Sequence, residues 1–172
     1  KNVMPNQFAS AQRVLDERNV FIINSMLRDV IRRGTGRKAL VLNREDLAGK
    51  TGTTNDATDT WFNGFHNEVS TSVWVGFSDY SPVGAQEYGS TAPLPIWIDF
   101  MGSVLENVPE APLDQPEGVV SIKIDPVTGR AVNPNQSDTI FEYFLREHPP
   151  LDETSTTFTD NYSRDILAED IF

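Results

Sequence analysis

One stretch restricts this chain more than any other. Trp61, Phe62 and Phe65 run into the polar turn His66-Asn67-Glu68, after which Val69, Thr71, Val73, Val75 and Phe77 alternate with small or polar residues. A period of two is the signature of strands whose successive side chains point to opposite faces, so residues 61–77 are expected to form a β-hairpin. Trp74 interrupts the polar face, which predicts that this face is covered, by a helix. Trp61, Phe62, Trp74 and Phe77 are read as core packing, since aromatics at strand spacing most often serve that purpose. Just upstream, Leu47 to Thr54 is small and threonine-rich, which suits a strand against which a ligand backbone can lie closely. Asp56 and Asp59, between the two, are read as turn residues rather than an acid–base pair.

Two amphipathic helices complete the frame. Val20, Ile23, Leu27, Val30 and Ile31 share one helical face, with Asp16 as N-cap, predicting a helix from about Glu17 to Arg33. Gly34 is expected to stop it in a left-handed conformation. Arg28, Arg32 and Arg33 are read as a solvated helix end favoured by the helix dipole. After a loop from Ser78 to Pro93, the spacing of Leu94, Trp97, Ile98, Met101, Val104 and Leu105 predicts a second helix to about Glu106, begun by prolines and closed by Pro109 and Pro112.

Beyond it, Gly118 to Ile124 reads as a strand, with Asp125-Pro126-Val127-Thr128-Gly129 as a turn and Arg130-Ala131-Val132 as the return of a small hairpin. Ile140 to Arg146 is a short helical candidate. The last forty residues hold nine acidic and two basic groups, the composition of a mobile extension. These elements predict an α+β fold, an antiparallel sheet with packed helices. Residues 1–112 are expected to form one unit and 113–172 a C-terminal extension.

Composition removes several classes of function. A net charge of −11 argues against a nucleic-acid partner, because phosphate backbones are held by clustered Lys and Arg. With no cysteine, thiol nucleophiles and cysteine-ligated metals are excluded. His66 and His148 lack the spacing of a metal motif, so neither a metal nor a cofactor is expected.

Gly49-Lys50-Thr51 invites comparison with a phosphate-binding loop, but that loop needs another glycine at the position of Arg44 and should open a helix rather than a hairpin. The longer pattern points elsewhere. Arg32-Arg33-Gly34-Thr35-Gly36, Asp46 to Asp56 around Lys50-Thr51-Gly52-Thr53-Thr54, Asp59 to Phe65, Val73 to Phe77 and Pro95 to Met101 resemble, in order and spacing, the transpeptidase domain of class A bifunctional penicillin-binding proteins. The likeness runs from about Val14 to Met101, and more loosely to Phe144.

The resemblance implies a penicillin-binding transpeptidase fold related to serine β-lactamases, of which this chain would be the C-terminal portion. It implies a D,D-transpeptidase that cross-links peptidoglycan stem peptides through a serine acyl-enzyme and is acylated by β-lactams. Lys50 would be the active-site lysine, placing charge beside the catalytic hydroxyls and the substrate carboxylate. Thr51 and Thr53 would donate hydroxyl hydrogen bonds to that carboxylate, and the Thr53 backbone N–H would help hold the oxyanion. Gly52 would leave clearance for the peptide, and Thr54 would be either a substrate contact or a strand residue.

Family members also carry a Ser-x-x-Lys nucleophile and a Ser-x-Asn motif upstream of Lys-Thr-Gly, and neither pattern occurs upstream of Lys50. The chain is therefore expected to be inactive alone, since a serine is activated only with its base in hydrogen-bond reach. Its partner would be an upstream segment of the same protein carrying the serine. Location at the periplasmic face of a bacterial inner membrane, anchored through that segment, follows from the resemblance. A D,D-carboxypeptidase or β-lactamase relative, and a non-catalytic interaction module whose acidic C-terminal stretch recruits partners while the strand motif is inert, are the competing readings.

Overall fold

The computed structural model describes residues 14–133 and 135–152; the acidic stretch beyond Asp152, expected to be mobile, lies outside the described residues. The chain divides into two compact units, one ending at Glu117 and the other beginning at Gly118.

In the first unit, α1 (Glu17–Arg32) starts where the Asp16 carboxylate accepts a hydrogen bond from the Arg18 amide at 2.8 Å, satisfying one of the orphan donors of the first turn. It buries Phe21, Ser25 and Ile31. Its end departs from the expectation. Gly34 is not in the left-handed region; the amides of Arg33 and Gly34 both donate to the Asp29 carbonyl, and a Cβ at Gly34 would come within 2.8 Å of the Val30 Cα. Glycine is needed there for close packing, not for handedness. The arginines are likewise more than a solvated helix end: Arg32 reaches Glu45 at 2.6 Å, Arg33 pairs with Asp29, and the Arg28 side chain is only 13% exposed.

A 3-10 helix, Arg37–Leu42, follows and turns through Asn43 in the left-handed conformation. Sequence reasoning assigned nothing to this segment. Three strands then form an antiparallel sheet in the order β1 (Ala48–Thr53), β2 (Asp59–Phe65), β3 (Ser70–Gly76). Gly49 sits opposite Gly64. A Cβ at Gly49 would meet the Phe62 ring at 2.8 Å, and one at Gly64 would meet the Trp97 ring at 2.6 Å. The paired glycines thus open a slot in which Phe62 and Trp97 meet edge to face, ring centroids 4.9 Å apart.

Trp97 belongs to α2 (Pro93–Val104), which buries Leu94, Trp97 and Met101 against the Phe62 face of the sheet. Burying each such large side chain contributes roughly 1.5–3 kcal/mol, so this cluster with Ile31, Leu47 and Leu105 is the core of the unit. The opposite face corrects an expectation. Phe62 is fully buried, but Trp61, Trp74 and Phe77 are 39%, 46% and 52% exposed, and α2 covers the other side. Trp61 and Trp74 instead pack on each other, with Trp74 donating to Asp59 at 2.8 Å.

The second unit pairs β4 (Val119–Ile124) with β5 (Ile140–Leu145), antiparallel, Val119 opposite Leu145. The helical candidate at Ile140–Arg146 is therefore a strand over Ile140–Leu145. Ile140, Phe141, Tyr143 and Phe144 are residues that favour a pleated, half-buried surface, and a run of seven residues cannot form a stable helix without packing that the paired strand supplies instead. The expected return at Arg130–Val132 forms no full strand: it meets the end of β4 through the bridge Ala131 to Ile124, with the Val132 amide donating to the Lys123 carbonyl and the Asp125 amide to that of Arg130, while Ala131 also bridges to Asp152. The turn itself forms as expected: Asp125 accepts from the amides of Val127 and Thr128, and Gly129 is left-handed at φ +69°. Those two amides, Thr128 first, hold the Asp125 carboxyl below its usual range.

Candidate functional site

Strand β1 carries the Lys50 to Thr53 motif on an edge of the three-stranded sheet. In an antiparallel ladder, residues alternately exchange hydrogen bonds with the partner and turn their main-chain groups away. The Thr54 amide donates to the Asp59 carbonyl at 3.1 Å, and this phase directs the N–H and C=O of Thr51 and Thr53 toward the open edge. Lys50 confirms the direction for Thr51: its ammonium, exposed, donates to the Thr51 carbonyl at 3.0 Å.

The two threonine hydroxyls are gripped from different elements. Thr51 Oγ1 lies 2.8 Å from Thr35 Oγ1, in the turn after α1. Thr53 Oγ1 accepts the Gly89 amide at 3.0 Å, in the loop leading to α2. Gly89 is buried so closely against the strands that a Cβ there would stand 2.5 Å from the Trp61 carbonyl oxygen and 2.8 Å from that of Gly52. Because Thr53 uses a lone pair toward Gly89, its own proton is available to another acceptor. Thr54 differs: its Oγ1 accepts the Asp59 amide at 3.0 Å and meets Thr58 Oγ1 at 2.9 Å, so it closes the β1–β2 turn. Gly52 is half-buried beside Trp61, where a Cβ would stand 3.3 Å from the Trp61 Cβ.

At the other end of β1 a buried polar network forms that sequence reasoning missed. Asp46, its side chain fully buried, accepts the Nε and Nη2 protons of Arg44 at 2.9 and 2.7 Å, the Ala111 amide at 2.9 Å and His66 Nε2 at 3.1 Å. His66 Nδ1 in turn accepts the Glu68 amide at 3.3 Å, which leaves Nε2 to carry the proton toward Asp46. Arg44 also donates to the carbonyls of Val108 at 2.7 Å and Pro109 at 3.2 Å. Burial raises the Asp46 carboxyl, but the hydrogen bonds from Arg44 and Ala111, with the charge of Arg44, outweigh it and hold the group below its usual range. The single histidine in the hairpin turn and the lone Arg-x-Asp gave no periodic signal by which to find them.

A cleft of about 400 Å³ lies between the 3-10 helix and α2, lined by Leu42, Arg44, Met101, Leu105 and Val108 among others. It shares no residue with Lys50 to Thr53. We place the candidate site at the strand, because concavity alone supplies no chemistry, whereas β1 brings together an ammonium, two hydroxyls and main-chain donors that no other strand among the described residues pairs. Among the described residues no group of three or more His, Asp or Glu side chains is placed to hold a metal, and no helix is long and apolar enough to cross a membrane.

No family model matches the chain. Individual proteins do. It is 52% identical over 140 residues to penicillin-binding protein 1A of Pseudomonas aeruginosa, covering 81% of this chain and 17% of that protein. It is 43% identical over 143 residues to penicillin-binding protein 1A of Neisseria lactamica, covering 83% and 16%. The crystal structure of penicillin-binding protein 1A from Haemophilus influenzae superposes with a TM-score of 0.73 at 33% identity, over 80% of this chain and 22% of that one. The mixed helix and antiparallel-sheet fold is therefore part of the penicillin-binding protein 1A fold, and the chain spans about a sixth of the length of the curated relatives it matches.

Proposed function

We propose that this chain, whose homologues are class A penicillin-binding proteins of the 1A type, supplies one wall of a serine D,D-transpeptidase cleft. The observation that carries the reading is the edge strand β1, which presents Lys50, the hydroxyls of Thr51 and Thr53, and the amides of Thr51 and Thr53, which no other strand among the described residues pairs, along its outer edge.

The serine comes from an upstream segment of the same protein. Its oxygen attacks the carbonyl of a peptidoglycan stem peptide or of a β-lactam; the C–N bond breaks, the acyl group remains on the serine, and the proton passes to the departing nitrogen. Lys50 places an ammonium beside those hydroxyls and favours the proton's transfer and the substrate's carboxylate. Thr51 and Thr53 donate to the carboxylate, and the Thr53 N–H stabilises the oxyanion as it forms. Gly52 lets the substrate backbone lie along the strand, while Thr54 shapes the turn beyond it. The catalytic unit extends through residue 112, since Ala111 is the last residue tied to Asp46; residues 113–172 form an extension. The reaction belongs to the periplasmic face of the inner membrane, with the anchor upstream.

Intact-mass measurement after incubation with benzylpenicillin tests this, comparing the chain alone with a folded mixture that includes the upstream segment. An adduct should form only in the mixture, on the upstream segment, and should diminish with Lys50→Ala. An adduct on this chain alone refutes the split site, and a folded mixture that takes up no penicillin refutes the transpeptidase reading.

A further inference from the structure

We propose that Thr35 is a positioning residue for carboxylate recognition: it holds the Thr51 hydroxyl so that the Thr51 proton points at the ligand's carboxylate. The inference rests on the transpeptidase reading of β1 and adds to it a residue from a different element.

The turn that carries Thr35 is built by packing. Gly34 lies so near α1 that a Cβ would come within 2.8 Å of the Val30 Cα, and the Gly36 amide donates to the Val30 carbonyl at 2.8 Å. A Cβ at Gly36 would stand 3.1 Å from that same oxygen. With glycine on both sides, the chain folds back on the last turn of the helix and delivers Thr35 to the edge strand, where its Oγ1 stands 2.8 Å from that of Thr51. Thr35 is exposed and Thr51 is half-buried, so both can be reached from solvent along the open edge.

Proton counting gives the pair its meaning. Two hydroxyls carry two protons and make one hydrogen bond to each other, so one proton is left. An acceptor that arrives along β1, such as a carboxylate, takes that proton, and Thr35 donating to Thr51 aims it from the strand. Thr53 reaches the same condition by another route, through the lone pair that accepts the Gly89 amide. Each motif threonine is thus turned outward by a neighbour from another segment: Thr51 by the turn after α1, Thr53 by the loop before α2.

The test uses the intact protein that includes this chain and its serine, with acylation rates measured for benzylpenicillin and for its methyl ester, which lacks the carboxylate. Thr35→Val keeps the shape and deletes the hydroxyl. One hydrogen bond of net worth near 1 kcal/mol predicts a loss of roughly three- to tenfold in the benzylpenicillin rate. Thr35→Ser should restore the rate to within about twofold, since it returns the same donor. The ester should react equally with the wild type and with Thr35→Val, and Thr35→Val added to Thr51→Val should cause no further loss. Thr35→Ala provides a second deletion if the valine variant melts early. A Thr35→Val rate equal to wild type, an equal loss on the ester, a full additive loss with Thr51→Val, or no rescue by serine each overturns the proposal. A folded wild type that is not acylated at all instead overturns the transpeptidase reading, and is recognised as such because it fails before any variant is compared.

Discussion

The two ends of β1 differ in how completely their polar groups are satisfied. At the entrance, Asp46 receives hydrogen bonds from Arg44, Ala111 and His66, and His66 in turn receives Glu68; with Ala48 and Leu47 buried beside them, these groups spend their hydrogen bonds on one another. At the exit, Thr51 and Thr53 each make one hydrogen bond that leaves a proton unspent, and Lys50 is exposed. A closed network fixes structure and an open one offers chemistry. Perturbed ionisation alone would have pointed to the wrong end, since it is Asp46 whose carboxyl is displaced.

The contrast is broken or sharpened most severely at the closed end. Asp46→Asn leaves the buried Arg44 guanidinium without its counter-charge, and removing one partner of a buried pair costs about 3–5 kcal/mol. Denaturant unfolding should show that loss, while the acylation rate per folded molecule in the intact protein stays near wild type. A variant that keeps its stability but loses rate would reverse the roles of the two ends. Lys50→Ala is the mirror image. It should lower acylation by about a hundredfold or more, the lower range for a positioned proton-transfer group, with little change in unfolding, because the Lys50 side chain is exposed and its ammonium donates to its neighbour's carbonyl.

Gly64→Ala probes the slot between the ends. Its Cβ would enter the Trp97 ring at 2.6 Å, and overpacking of this kind costs about 1–3 kcal/mol, read as a lowered melting temperature. The smallest effect is that of acid. The Asp46 carboxyl is depressed in the folded state, so its contribution is fully present above the ordinary aspartate pKa of about 3.9 and is lost as pH falls below it through the folded value. The wild type should therefore lose stability below about pH 4 more steeply than Asp46→Asn.

Where local pattern decides structure, the sequence was enough. Asp16 caps α1, the hairpin turns at His66 to Glu68, α2 begins at Pro93, and Lys50 to Thr53 stand on a strand. Reading failed where the deciding partner lies far along the chain. Ile140 to Leu145 is a strand because Val119 to Ile124 pairs with it, and a short apolar run carries no periodicity that separates the two states. Arg44, Asp46 and Ala111 meet across some 65 positions. Thr35 was visible only as part of a glycine-flanked loop, and nothing in the stretch around Gly89 distinguishes that residue from neighbouring loop glycines, because what marks both is the strand they touch.

The anchoring of β1 at its buried end has a mechanical consequence. From Ala48 to Thr53 the strand is about 17 Å long at the usual rise per residue. All six of its residues are paired with β2, and its far end is held again at Thr51 and Thr53 by Thr35 and Gly89. The strand is thus clamped along its length rather than hinged at one end, and if productive geometry tolerates only about 0.5 Å of displacement, that distributed clamping is what keeps the motif in place. Loosening the buried end then costs stability without moving the tip out of register with an incoming carboxylate.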